Sequence, residues 1–276
     1  MKTHTLYISD LDGTLLDQSA CISEYTKRTL NLMIDKGMRF SVATARLLAP
    51  VRKMLDGLKI NTPVILMNGV LIYDFIQQKF VKTNYLSIES VQMVIDIINQ
   101  YDITGFMYEL KNDEIITYHE TSKHRTVHKY LLDRINRYQS ILPKNGLMSV
   151  DKSNIIYFTL IDTKDRLEPI YNAFSKIDSF NQSFYKNVYN PDFWFLEIYS
   201  SESSKQQAVN FLVENYGFRK VVSFGDNHND LPMFQASDVC IAVENATTDV
   251  KNVADYICES NINDGVAKWL VENFEF

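Results

Sequence analysis

Alternation is the feature that most restricts the fold of this chain. Short apolar runs and amphipathic helical patterns follow one another at both ends of the sequence, and the alternation lapses in the middle. The first end reads as an apolar run over 5–9, a helical pattern over 23–36, a run over 39–43, a helical pattern over 49–58 and a run over 63–67. The order β-α-β-α-β specifies a parallel sheet with covering helices, because parallel neighbours need a long crossover between them. Ser23 stands where it can cap the first helix, whose apolar set is Leu30, Met33 and Ile34, with Gly37 just past its end. The second helical pattern carries Pro50 near its first turn, where a missing N–H costs little. After Phe218 the rhythm resumes with a strand over 220–224, a helix over 230–235, a strand over 238–243 and helices over 247–254 and 264–274. The two ends are therefore expected to form one α/β domain with a doubly wound parallel sheet.

The middle differs. A helix over 88–101, paired runs over 104–110 and 114–118, a charged helix over 123–139 and a strand over 154–161 read as an α+β domain inserted into the first. The expected division is 1–83 with 193–276 as the core and 84–192 as the insertion. In the charged helix, Lys123, His124, Arg125, His128, Lys129, Arg134 and Arg137 make a basic face, solvated for the most part, some of which could meet an anionic substrate. His124 and His128 lie one turn apart, yet nothing supplies a third metal ligand. Phe193, Trp194 and Phe195 read as packing for the strand that returns to the core.

Composition narrows the function classes. With 276 residues, 46% hydrophobic, the chain can bury a substantial core. A net charge of −6 argues against a nucleic-acid binder that neutralises phosphates, so a small-molecule partner is expected. Three scattered cysteines, Cys21, Cys240 and Cys258, form no C-x-x-C motif and read as reduced packing residues of a cytoplasmic protein. No apolar run approaches the roughly 20 residues of a membrane span, so no membrane partner is expected.

Polar groups follow four separate runs: Asp10 and Asp12, then Thr44 with Arg46, then Asn68, then Asp226 with Asp230. In a parallel sheet these strand ends lie along one edge, where ligands bind. Crowding four carboxylates there is costly, since each like-charged pair at about 4 Å repels by roughly 4 kcal/mol at an effective dielectric near 20. The edge needs a cation, and a ligand set of oxygens alone points to Mg²⁺.

Five segments, Asp10-Leu11-Asp12-Gly13-Thr14, Val42-Ala43-Thr44-Ala45-Arg46, Met67-Asn68-Gly69, Lys205 after Leu196-Glu197-Ile198, and Phe224 to Asp230, carry a resemblance across nearly the whole chain. The sequence resembles haloacid dehalogenase superfamily phosphatases of the Cof-type group, which have a large α/β cap. The resemblance implies a Rossmann-like core with an inserted cap. It also implies Mg²⁺-dependent hydrolysis of small phosphorylated metabolites, such as sugar phosphates, pyridoxal phosphate or flavin-related phosphates, through an aspartyl-phosphate. By that resemblance Asp10 is the nucleophile and Asp12 the acid and base, Thr44 bonds a phosphoryl oxygen and Lys205 neutralises charge. Arg46, Asn68, Gly69 and Asn229 would meet the substrate. The metal would take the Asp10 carboxylate, the Asp12 carbonyl and Asp226, with Asp230 and Asn229 acting from behind or through water.

By itself, a lysine in the first turn of a helix over 203–216 reads as solvated. Departures from the family pattern are Ala45 where glycine is usual, Ser200 to Ser204 in place of a glycine-containing loop, and Gln206. Rival readings are a phosphomannomutase-like phosphotransferase, which would need a second phosphate site, and a catalytically idle module that binds phosphometabolites. Haloacid dehalogenation has no use for the acid at Asp12. The sequence leaves substrate and oligomeric state open.

Overall fold

The computed structural model describes residues 4–119, 141–143, 150–186 and 192–274. The helix expected over 123–139, with its basic residues and histidines, lies outside them. The first segment runs β1 (Thr5–Ser9), α1 (Glu24–Asp35), β2 (Arg39–Val42), α2 (Leu48–Met54), β3 (Val64–Leu66), β4 (Leu71–Asp74) and β5 (Lys79–Thr83). The middle comprises α3 (Ile88–Tyr101), β6 (Thr104–Lys111), β7 (Glu114–His119), β8 (Ile141–Pro143), β9 (Ile155–Asp162), α4 (Lys164–Phe174), β10 (Phe180–Lys186) and β11 (Trp194–Ser200). The last segment adds α5 (Lys205–Tyr216), β12 (Lys220–Gly225), α6 (Leu231–Gln235), β13 (Val239–Val243), α7 (Thr248–Val253), β14 (Tyr256–Cys258) and α8 (Gly265–Asn273).

These elements form two compact units, Met1–Lys82 with Ser204–Phe276, and Thr83–Ser203. The expected return to the core at residue 193 is corrected to 204. The reason is pairing: β11 lies antiparallel between β10 and β9, so its backbone bonds are satisfied inside the insertion.

The first unit holds a parallel five-stranded sheet in the order β14-β13-β12-β1-β2. Strand addition proceeds to one side of β1 before the insertion and to its other side after it, so the crevice between β1 and β12 is the topological switch point. Ser23 caps α1 by accepting the Thr26 N–H at 3.0 Å. Both hydroxyls, of Ser23 and Thr26, also donate to Asp264 from the far end of the chain, tying α1 to the start of α8, against which it packs. Phe224 meets Trp269 and Tyr7 meets Phe274 edge-on, so α8 seals the sheet from the same side.

Two expectations in this unit are revised. The second helix ends at Met54 rather than 58, and Gly57 turns the chain at φ +77°. The third run joins the parallel sheet by the single bridge Ala43–Ile65 and pairs mainly antiparallel with β4, within a β3-β4-β5 sheet. That excursion has a local cause, because the Asp74 carboxylate accepts the Ile76 and Gln77 N–H groups and so makes the turn that sends β5 back.

The second unit is a six-stranded sheet in the order β10-β11-β9-β6-β7-β8, antiparallel except for β7 with β8. Helices α3 and α4 cover one face, where Val91, Val94, Ile95, Leu167, Ile170 and Phe174 pack on Met107, Phe158, Leu160 and Leu196. Two of its buried carboxylates are held by phenol hydroxyls: Glu109 accepts Tyr118 at 2.5 Å, and Glu197 accepts Tyr157 and Tyr185 at 2.8 and 2.9 Å. Phe193, Trp194 and Phe195 belong to this unit, with Trp194 tilted against Phe184. No helix among the described residues is long and apolar enough to cross a membrane.

Candidate active site

The carboxyl ends of β1 and β12 supply the acids. Asp10 extends the ladder by donating its N–H to the Phe224 carbonyl at 3.0 Å, which leaves its side chain in the crevice, 4% exposed. The chain then coils tightly: the Leu11 carbonyl accepts N–H groups from Thr14, Leu15 and Leu16. Gly13 sits in this coil at φ +84°, and a Cβ there would lie 2.5 Å from Asp226 Oδ2. Only glycine combines that conformation with that approach. Thr14 completes the contact by donating its hydroxyl to Asp226 Oδ1 at 3.0 Å.

At the end of β12 the turn is built on Asp230. Its Oδ2 accepts the N–H groups of Asp226 and Asn227 at 2.9 and 3.0 Å, closing a capping box with Asn227. Gly225 permits this fold-back, because a Cβ there would come within 2.7 Å of the Asp230 Cβ. The other Asp230 oxygen receives Lys205.

Lys205 is the first residue of α5, whose N-cap Ser204 accepts the Gln207 N–H. Its side chain is 1% exposed, and Nζ donates to Asp10 Oδ1 and Asp230 Oδ1 at 2.6 Å each. The solvated reading of this lysine is thus set aside, and the serine loop delivers it to the acids despite lacking glycine. Gly69 has φ +97°, and a Cβ there would lie 2.2 Å from the Ser204 carbonyl oxygen. The residue expected to touch substrate is thereby the one that lets Ser204, and with it Lys205, sit close beneath β3.

The second sequence motif folds against the turn that follows β3. Thr44 donates its N–H to Ile65, and the Thr44 and Arg46 carbonyls accept the N–H groups of Asn68 and Met67. Met67 and Asn68 both adopt positive φ, at 49° and 55°, before Gly69. Two non-glycine residues held in that region mark stored backbone strain of about 1–3 kcal/mol each, met here by those bonds. Thr44 is buried, and its hydroxyl oxygen accepts the Arg46 N–H at 3.2 Å. The Arg46 guanidinium grips both Asp12 carboxylate oxygens at 2.6 Å. The Asp12 carboxylate is thus turned to Arg46, and the oxygens of Asp10, Asp226 and Asp230 gather within 4.8 Å of one another. Asn229 lies beside them, partly buried in the same turn.

Lys205 bonds two of the three gathered carboxylates, and Asp10, Asp226 and Lys205 are all shifted from their ordinary ranges. Burial pushes the Asp10 carboxyl well above the usual range, Lys205 pulls it back, and Asp230 and Asp226 push it further up. Burial and then Asp230 push Asp226 up to about 7, against the Thr14 bond and Lys205. For Lys205, burial opposes the charge and is outweighed by Asp10 and Asp230, so its ammonium is held above its ordinary range. A buried, oxygen-only site with surplus negative charge is suited to a hard divalent cation such as Mg²⁺. The thiols are not candidates for the chemistry, because burial raises Cys240 to about 11 and Cys258 to about 12.

Thr14, Asn227 and Gly225 were not singled out from the sequence. Thr14 has a signal in hindsight, a hydroxyl residue directly after an Asp-Gly turn. The pairing of Asp12 with Arg46 has none, since it joins loops 34 residues apart.

Comparison with known proteins bears on what such a site does. A family model described as haloacid dehalogenase-like hydrolase matches residues 7–270. The chain is 25% identical to 5-amino-6-(5-phospho-D-ribitylamino)uracil phosphatase YitU of Bacillus subtilis, across 99% of both chains. It is 24% identical to pyridoxal phosphate phosphatase YbhA of Escherichia coli, across 95% of each. In fold it is similar to the crystal structure of a haloacid dehalogenase-like hydrolase from Bacteroides thetaiotaomicron, with a TM-score of 0.80 at 23% identity over 98% of this chain and 99% of that one.

Proposed function

Because the chain belongs to the haloacid dehalogenase-like hydrolase family, in which the relatives it matches are phosphatases, we propose that it is a Mg²⁺-dependent phosphatase of small phosphorylated metabolites. The observation that carries this reading is Lys205, fully buried and bonded at 2.6 Å to both Asp10 and Asp230, with Asp226 alongside. A structural core has no reason to collect three carboxylates around one ammonium.

In this reading an Asp10 oxygen attacks phosphorus, forming the aspartyl-phosphate as the bond from phosphorus to the leaving alcohol breaks. Asp12 gives that alcohol its proton. Water then attacks the phosphorus with Asp12 taking the proton, which frees phosphate and restores Asp10. Lys205 balances the charge gathering between Asp10 and the phosphoryl oxygens, and the Thr44 hydroxyl donates to one of them. Arg46, held on Asp12, aims that carboxyl and stands ready for an anionic oxygen. Asp10 and Asp226, with the Asp12 carbonyl, would hold Mg²⁺, which when bound supplies positive charge for the transferring group, and Asp230 would orient it from behind. Asn68, Gly69 and Asn229 would contribute to the substrate side of the same edge.

Substrate choice is assigned to the Thr83–Ser203 unit, because each of these residues lies in the other unit. The names of the relatives support phosphates of flavin precursors and of pyridoxal as the first to try. Three free cysteines, two of them buried, suit a reducing cytoplasm. The test is phosphate release from a panel of phosphorylated metabolites with Mg²⁺ and with excess chelator. Full activity in chelator rejects the metal, and binding without turnover on the whole panel favours an idle module.

A further inference from the structure

A pair of asparagines outside the acidic site reaches its most constrained segment. Asn245, in the loop between β13 and α7, donates its side-chain N–H to the Gly13 carbonyl at 2.7 Å. Its amide oxygen accepts the Asn261 N–H at 3.0 Å, and the Asn261 side chain donates to the Leu16 carbonyl at 2.7 Å. The two residues therefore hold both ends of the Gly13–Leu16 coil. The same β13–α7 loop also touches the other acidic turn, since the Thr247 N–H donates to the Asp226 carbonyl at 2.9 Å.

We propose that Asn245 and Asn261 form a brace that sets the Gly13–Leu16 coil against Asp226, making them positioning residues that determine how tightly the acidic site takes its divalent cation. The coil reaches Asp226 in two ways: the Thr14 hydroxyl orients Oδ1, and the Gly13 backbone packs so near Oδ2 that a single extra carbon would collide. A shift of a few tenths of an ångström in the Gly13 peptide therefore moves the carboxylate. The brace gives the Gly13 and Leu16 carbonyls each a donor from more than 200 residues away in the chain. Partners that orient a ligand from behind are commonly worth about 10- to 100-fold in metal affinity. The proposal rests on the assignment of the acidic site as a Mg²⁺ site.

The experiment uses full-length protein stripped of metal. Mg²⁺ binding is measured by titration calorimetry without substrate, and amide exchange is followed at Thr14, Leu15 and Leu16, for wild type, Asn245→Ala, Asn261→Ala and the double variant. The expected result is a Kd for Mg²⁺ weakened about tenfold in Asn245→Ala and less in Asn261→Ala. The double variant should be no weaker than the sum of the two effects predicts. Amide exchange at those residues should quicken while the metal-free Tm moves little. Unchanged Kd and exchange in both single variants would overturn the brace, as would a lower Tm with Mg²⁺ affinity intact, the mark of a purely structural contact. If wild type itself binds no Mg²⁺, the assignment of the acidic site falls first and the brace with it. Retained wild-type binding with indifferent variants rejects the brace alone.

Discussion

Removing the cation should make this protein less stable as pH rises, and Asp226 is the residue that reports it. Its carboxyl is pushed up to about 7 from an ordinary value of 3.8, by burial first and then by Asp230. A carboxyl raised in the folded state keeps a proton there that the unfolded chain has already released. Its contribution is therefore complete below about pH 4 and is lost as pH climbs through about 7. At 1.36 kcal/mol per unit, the loss across that window is on the order of 4 kcal/mol for this group, and Asp10 adds to it with the same sign. Mg²⁺ acts in the opposite direction, because it binds the ionised carboxylates of the folded state. At a hundred times its Kd it returns about 2.7 kcal/mol. Urea unfolding in chelator at pH 5, 6, 7 and 8, repeated with Mg²⁺, should show stability falling with pH more steeply in chelator than with Mg²⁺. Asp226→Asn should flatten the slope and abolish the response to Mg²⁺. A metal-free wild type that gains stability between pH 5 and 8, or an Asp226→Asn variant with the wild-type slope, would refute the reasoning.

Asp10→Asn should lower kcat at least about a thousandfold while leaving the circular dichroism spectrum unchanged, because the amide keeps the shape and loses the nucleophile. Asp12→Asn should still accept phosphate from a reactive ester such as p-nitrophenyl phosphate and release it slowly, so mass spectrometry of the quenched reaction should find a phosphorylated Asp10; phosphate on histidine or serine would reject the mechanism. Lys205→Met, which strips the shared ammonium from two buried acids, should cost about 3–5 kcal/mol in metal-free stability and about 100-fold or more in kcat/KM. Gly13→Ala and Gly217→Ala should separate strain from collision in a chemical-denaturation and Mg²⁺-binding comparison. Both positions have positive φ, but a Cβ at 217 meets nothing within 4 Å while one at 13 strikes Asp226. The second variant should therefore lose roughly 1 kcal/mol, and only the first should also lose cation affinity.

Local patterns carried much of this protein in the linear text, because they act through neighbours in the chain. A serine before a helical pattern caps α1, and the run over 5–9 becomes β1 with its two aspartates at the carboxyl end. The parallel order follows from alternation alone, and so does the meeting of Asp10 and Asp226 at one edge of the sheet. Other features depend on long-range pairing. The true end of the insertion rests on whether β11 pairs with β9 or returns to the core, and an apolar strand reads the same in either place. The antiparallel excursion of β3, β4 and β5 hangs on one turn at Asp74 within an otherwise ordinary run. Lys205 looks like a solvated helix residue until the acids around it are in place, since burial of a charge is decided by its partners. The grip of Arg46 on Asp12 and the brace of Asn245 and Asn261 on the coil after it join segments that share no periodicity. Only the folded chain, bringing loop ends within 3 Å, decides such contacts.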